Sequence, residues 1–184
     1  MIEIHSERLR FIPLDNEMLF IWKNLGRPNL EKFLNLNPNN WDIEDYYFKE
    51  TQDALHNFWS IQTKTNPIQF CWYTNWEIIL KSTNQSIGGI GFNGPANLKG
   101  ENEMGYFIDK KFRNFGYATE ATARLIQWAS QDSRLKNITA KTFENNLNSR
   151  KVLLKNQFEL IKQEDNIEFW KKELSLNNEK FHIL

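Results

Sequence analysis

The sequence predicts a mixed α/β fold, and three observations carry that prediction. Strand-like alternation opens the chain, dominates its middle and returns at its end. Two helical patterns with 3.6-residue spacing fall between the later strands. The balance of 40% hydrophobic and 25% charged residues belongs to a chain with a packed core. At 184 residues, one domain over 1–184 is expected. Aromatic residues make up 14%, so core and pockets alike should be rich in rings.

The first strand covers 7–12, where apolar and polar residues alternate until Pro13 closes it. Asp15 heads a short helix through Met18, Leu19 and Trp22, and Gly26 and Pro28 follow it. The Asn-rich stretch 28–40 reads mainly as loop with room for one helical turn. Asp42 can cap a second helix that places Ile43, Tyr47, Ala54 and Phe58 near one face. Strands are predicted at 70–73 and 76–81, then a turn at 82–85, a Gly-rich strand at 86–92 and a loop to 102. A strand at 103–109 leads to a helix at 116–130, in which Ala118, Ala121, Leu125 and Trp128 are spaced 3, 4 and 3 apart. A strand at 138–143, a helix at 149–156 and a hairpin of 158–163 with 167–174, turning at Asp165-Asn166, complete the chain.

Charge and cysteine content narrow the function classes. The 23 basic and 23 acidic residues cancel, which excludes a general pull toward nucleic acid or anionic lipid. No RNP-type or helix-turn-helix pattern appears either. The charge is uneven: residues 1–60 hold 6 basic and 10 acidic side chains, and residues 105–155 hold 10 and 4. The basic stretch is either a solvated face or a site for a small polyanion. The single cysteine, Cys71, lies in the aromatic run 70–73 and reads as a core thiol. His5, His56 and His182 lie in no motif, and no His/Cys cluster offers metal-ligand spacing, so no metal is expected. No basic-then-apolar leader opens the chain and no apolar run approaches ~18 residues, so a cytoplasmic protein without membrane contact is expected.

Chemistry concentrates in the segment 105–119. A strand runs into a short loop whose last residues open a helix, and Gly116 and Ala118 leave the backbone open to close approach. Free N–H groups of a first helical turn, with Lys110, Lys111 and Arg113 around them, form a cradle for a diphosphate. Two other phosphate motifs are missing. There is no G-x-x-x-x-G-K-[ST], and Gly88-Gly89-Ile90-Gly91 lies in a strand that precedes no helix.

The same residues carry a family resemblance. Arg113-Asn114-Phe115-Gly116-Tyr117-Ala118 matches the [QR]-x-x-G-x-[GA] motif of the GNAT acetyltransferase superfamily. Glu103-Met104-Gly105-Tyr106 resembles the E-I-G-Y strand of its RimJ/RimL-like branch, and 116–121 that branch's G-x-A-T-E-A helix start. The segment 146–158 is similar to its N-x-x-S-x-x-V-L-x-K-x-G-F, with Gln157 in place of the usual glycine. Ser6-Glu7-Arg8-Leu9-Arg10 matches its first strand. The first third and 95–102 match no substrate-specific pattern.

The resemblance implies a central twisted mixed sheet of about seven strands flanked by helices, with two splayed parallel strands, 103–109 and 138–143, holding acetyl-coenzyme A. Its pantetheine would pair with main chain at Phe107 and Ile108. Its diphosphate would sit on the loop and first turn formed by Arg113, Asn114, Phe115, Gly116, Tyr117, Ala118 and Thr119, and Asn146 would bond the pantetheine arm. Acyl transfer from thioester to amine is direct in this family. It needs a base, for which Glu103 is the candidate, an oxyanion donor near Ile108 helped by a bulge near Gly105, and a hydroxyl for the departing thiolate, for which Ser149 is placed. Glu103 could instead be a paired strand carboxylate, and Ser149 a helix N-cap. Alternation puts Tyr106 on the face opposite Glu103 and Gly105, where it is expected to pack in the core. The implied acceptor is a protein N-terminus or an amine-bearing small molecule, and a homodimer is compatible. The rival reading is a catalytically silent coenzyme A-binding sensor or scaffold.

Overall fold

The computed structural model describes residues 2–174. Eight strands form one sheet in the order β1 (Ile4–His5), β2 (Leu9–Pro13), β3 (Asn75–Leu80), β4 (Gln85–Phe92), β5 (Glu101–Ile108), β6 (Asn137–Phe143), β8 (Ile167–Glu173) and β7 (Glu159–Glu164). The mixed α/β expectation holds, with the two-residue β1 added at the sheet edge. Every neighbouring pair is antiparallel except β5 and β6. The exception follows from the connection: α5 (Tyr117–Ala129) crosses over between the two strands, whereas the β7–β8 pair is joined by a tight turn.

The chain differs from the sequence reading in four local places. Residues 28–40 contain a helix, α2 (Arg27–Phe33), started by Pro28 directly after α1 (Asn16–Leu25). The next helix, α3 (Asp45–Ala54), has Glu44 rather than Asp42 at its N-cap position, and it runs through a π-helical turn, Leu55–Trp59, into α4 (Ser60–Thr65). Residues 70–73 are not a strand but a 3-10 turn, Phe70–Trp72, because Cys71 and Trp72 are drawn into the core and the Cys71 carbonyl accepts from the Trp76 indole at 2.8 Å. Finally, α6 (Leu147–Lys155) begins two residues early, capped by Asn146.

Strand faces explain the two cores. Leu9, Phe11, Ile78, Ile87, Ile90, Met104 and Ile138 pack with Ala121, Leu125 and Ala129 of α5. On the opposite face, Ile12 and Ile79 pack with Met18, Leu19, Trp22, Leu30 and Leu55 of the N-terminal helices. That second face also buries Glu77, held by both terminal nitrogens of Arg27 at 3.0 and 2.5 Å and by the Ser86 hydroxyl at 2.6 Å. A buried carboxylate requires such pairing, and the Arg27 guanidinium also lies 3.4 Å from the centre of the Trp41 ring and 5.1 Å from that of Trp22.

One feature positions the site. The parallel strands β5 and β6 are partnered only at Glu101↔Asn137, Asn102↔Ile138 and Glu103↔Thr139. Beyond these three positions β5 stays paired with β4, and β6 with β8, but the two strands separate from each other. The register of β4 with β5 is regular from Gly88↔Ile108 to Phe92↔Met104, so the bulge expected near Gly105 is absent.

At the end of α6, Gln157 adopts φ 63°, and its N–H and that of Phe158 bond back to the Leu154 and Leu153 carbonyls at 2.9 and 3.0 Å. This is the left-handed helix termination that glycine usually makes. The turn therefore keeps the glycine shape, and Gln157 carries a strain of about 1 kcal/mol.

Candidate active site

The separation of β5 from β6 opens a cleft of about 790 Å³ on the α5–α6 side of the sheet. Its wall is the N-terminus of α5. Gly116 sits in the left-handed region at φ 82°, no side chain caps the helix, and the first helical bond runs from Glu120 N–H to the Gly116 carbonyl at 3.1 Å. The amides of Tyr117, Ala118 and Thr119 thus have no intrahelical acceptor. All three residues line the cleft, as do Phe107, Ile108, Arg113, Asn114, Gly116, Asn146 and Ser149. Phe115 does not. Its ring is exposed, and its carbonyl accepts from Arg8 Nη1 at 2.9 Å. Arg8 also pairs with Glu120 at 2.7 Å and lies over the Tyr117 ring. The start of β2 therefore braces the cradle from behind.

The main chain of β5 decides which amides face the gap. Asp109 N–H donates to the Ile87 carbonyl and Asn93 N–H to the Glu103 carbonyl. Antiparallel alternation then directs the peptide groups of residues 103, 105 and 107 at β4, and those of Tyr106 and Ile108 into the gap. This corrects the expectation of gap-facing main chain at Phe107: its peptide groups serve the β4 ladder, and those that face the gap belong to Tyr106 and Ile108. The Ile108 carbonyl is occupied by Arg113 Nε at 2.9 Å, which leaves its N–H free.

The basic side chains are arranged differently from their order in the sequence. Arg113 holds Glu44 through both terminal nitrogens at 2.6 Å, Lys110 pairs with Asp42 at 2.9 Å, and Lys111 donates to the Asn40 carbonyl at 2.9 Å. All three hold the 40–44 segment against the loop. Lys151 and Lys155 of α6 also line the cleft, and among the described residues neither has a carboxylate partner. Both belong to the basic stretch 105–155, and Lys155 is the lysine of the N-x-x-S-x-x-V-L-x-K segment. The Arg113 guanidinium holds the Glu44 carboxyl at about 2, well below its usual range. Because the folded value is depressed, this pair's contribution to stability is present above pH ~4.5 and lost as the pH falls toward ~2. The melting temperatures of the wild type and Glu44→Gln are expected to differ most above pH 4.5 and to converge on acidification. A difference independent of pH would refute the pairing.

A second cleft of about 810 Å³ lies on the opposite face, under α3 and the π-helical turn. Glu103 lines it, with its carboxylate 2.8 Å from Lys141 Nζ. Six residues line both clefts: Tyr46, Tyr47, Tyr106, Phe107, Phe143 and Ser149. They stand between the two clefts, at the split in the sheet. The glycine beside it, Gly105, is exposed, and a Cβ there would meet nothing within 4 Å. Nothing in the fold demands a glycine at this position.

Asn146 is the α6 cap: its Oδ1 accepts from Ser149 N–H at 3.1 Å and its Nδ2 donates to Tyr47 Oη at 2.9 Å. The N-cap alternative for Ser149 is thereby overturned, since Ser149 is the third residue of the helix. Its hydroxyl instead lies 3.0 Å from Tyr106 Oη. Tyr106 is therefore not only a core residue, although its ring packs against the core. Burial pushes the Cys71 thiol up to about 11, as suits an inert core thiol. His5 pairs with Glu3, exposed His56 contacts the Gln52 carbonyl, and His182 lies outside the described residues. Among the described residues no group of three or more His, Cys, Asp or Glu could hold a metal ion, and no helix is long and apolar enough to cross a membrane.

Residues 8–159 match the model of the acetyltransferase (GNAT) domain. The chain is 27% identical over 170 residues to the uncharacterized N-acetyltransferase YjdG of Bacillus subtilis, covering 92% of this chain and 97% of that protein. It is 30% identical over 123 residues to the uncharacterized N-acetyltransferase YoaA of the same organism, 66% of this chain and 69% of that one. Among solved structures, the ribosomal-protein-S5-alanine acetyltransferase of Vibrio fischeri superposes with a TM-score of 0.65 at 14% identity over 94% of this chain and 97% of that one. RimL, the ribosomal L7/L12 α-N-protein acetyltransferase, in complex with coenzyme A, gives 0.65 at 15% identity over 94% and 98%.

Proposed function

The chain belongs to the GNAT acetyltransferase family, and from that premise we propose that it moves an acetyl group from acetyl-coenzyme A directly to a primary amine, as a member of the RimJ/RimL-like branch. The observation that carries this reading is the split between β5 and β6, which joins a cleft with an uncapped helix N-terminus to a second cleft holding a carboxylate.

The residues present fit coenzyme A. The free amides of 117–119 and the cations of Lys151 and Lys155 suit its phosphates. The gap-facing peptide groups of Tyr106 and Ile108 suit its amide-bearing arm. When bound, the acetylated form supplies a thioester as the acyl donor. The chain's own residues divide the remaining work. Glu103 accepts the proton of the acceptor amine from the second cleft, directly or through water. The Ile108 N–H donates to the carbonyl oxygen as it gains charge, and the Ser149 O–H donates to the leaving sulfur. Arg113 and Asn114 shape the loop, and Asn146 sets the start of α6.

The second cleft is the acceptor side. Structural neighbours named for ribosomal-protein substrates support a protein N-terminus as acceptor, with a small amine as the alternative. Thiol release from acetyl-coenzyme A, measured with a panel of peptides and of small amines, tests the reading. Release that depends on an amine is expected. Tight coenzyme A binding without release for any amine would favour the sensor or scaffold instead.

A further inference from the structure

We propose that Tyr106 is a positioning residue for the acyl transfer: its half-buried hydroxyl donates to Ser149 Oγ and so aims the single proton of Ser149 into the split between β5 and β6, where the thiolate departs. The inference rests on the reading of the α5–α6 cleft as the coenzyme A site.

The geometry has three parts. Tyr106 Oη and Ser149 Oγ are 3.0 Å apart, and both residues line the two clefts where these meet. The Ser149 hydroxyl has no other hydrogen-bond partner among the described residues. It does not turn back to the carbonyl four residues earlier, as helical serines commonly do. Third, the other acceptor near Tyr106 is the Ser149 carbonyl, 3.4 Å away, and as an interior carbonyl of α6 it already serves the helix. Oγ is both nearer and free, so the tyrosine proton goes there.

The direction of the bond matters chemically. A serine hydroxyl has one proton and two lone pairs. If Ser149 donated to Tyr106, it would present only lone pairs to a developing thiolate and would repel it. With Tyr106 as donor, the Ser149 proton is left for the sulfur. No proton leaves Tyr106 in this arrangement. Burial pushes its phenol far above the usual tyrosine range, and the bond with Ser149 offsets only part of that rise. Ser149 likewise keeps its proton, so the device is a fixed donor and not a relay. The amine's nitrogen forms the new C–N bond, the C–S bond breaks, and the electron pair stays on sulfur, facing the Ser149 O–H.

Two readouts test this. Coenzyme A bound to the wild-type chain should show its thiol titrating below the midpoint of free coenzyme A measured in the same buffer, followed by thiolate absorbance in the ultraviolet. Tyr106→Phe and Ser149→Ala should each move that midpoint up by about half a unit or more, with coenzyme A affinity within about twofold of wild type and an unchanged melting profile. In turnover, Tyr106→Phe should lower kcat about tenfold, the size expected for one misdirected hydrogen bond to a charged group. The two substitutions should not multiply: in a Ser149→Ala background, Tyr106→Phe should change kcat less than about twofold. An unmoved thiol midpoint in Tyr106→Phe, or losses that multiply in the double variant, would overturn the proposal. Failure of the wild type to bind coenzyme A at all would count against the function itself and is visible before any variant is made.

Discussion

Gly116→Trp is expected to abolish coenzyme A binding while the chain stays folded. At φ 82° any side chain at this position is strained, at a cost of roughly 1–2 kcal/mol. Domains of this size have about 5–15 kcal/mol to lose, so the fold survives. Around the Cβ position only Arg8 Nη2, at 3.5 Å, lies within 4 Å, so a side chain meets no packed wall. An indole there stands at the mouth of the cleft, beside the amides of 117–119. These amides are the groups a diphosphate would need, and because Arg113, Lys110 and Lys111 are committed to the 40–44 segment, only Lys151 and Lys155 of α6 are left to attract it. Titration calorimetry with coenzyme A should show no binding where the wild type binds. Near-wild-type affinity would remove the diphosphate from this cradle.

The second large effect is expected at Glu103. An alkyl amine is almost fully protonated at neutral pH, with a pKa of about 10, so an acceptor for its proton is required before or during attack. A positioned general base contributes about 10²–10⁴-fold, or about 3–5 kcal/mol of barrier. Glu103→Gln keeps the shape and removes the base, so kcat/KM should fall within that range and recover in part at high pH. Coenzyme A affinity should not change, because Glu103 lines the other cleft. The competing role is structural: the carboxylate already pairs at 2.8 Å with Lys141, two residues beyond Thr139, its partner at the last bonded step of the parallel pair. Side-chain exposures of 35% and 50% make that pair a weak contributor to stability. A loss below threefold with an unchanged pH profile would assign Glu103 to the pair alone.

Motif spacing brought most of the candidate residues to one cleft. Nine of them, from Phe107 to Asn146, are on its wall, together with Ser149. The misreadings have specific causes. The resemblance implies gap-facing main chain at Phe107, but the β4 register that turns its peptide groups to β4 is not visible in the sequence. Ser149 suits an N-cap for a helix expected to start at 149, but the helix begins two residues earlier and Asn146, an equally good capping residue, takes the role. The run at 70–73 has strand-like composition, but the pull of Cys71 and Trp72 into the core overrides that preference. Tyr106 was placed on the correct face of its strand, and its partner on α6 was out of sight.

The sequence by itself determined the order of elements from β3 onward, the glycine-started helix α5 after a strand, the face of β5 that each side chain takes, and the family. These are short-range properties: propensity, periodicity and turn chemistry act over a few residues and are written there. Only the tertiary structure decided that β5 and β6 part after three paired positions, that Arg113 faces Glu44 rather than open solvent, that Lys151 and Lys155 lack partners, and that Tyr106 meets Ser149. Each of these depends on groups 30 to 70 residues apart in the chain, brought together by the packing of helices on a twisted sheet. Periodicity states which face a side chain takes, but its partner is chosen by which other element is packed against that face.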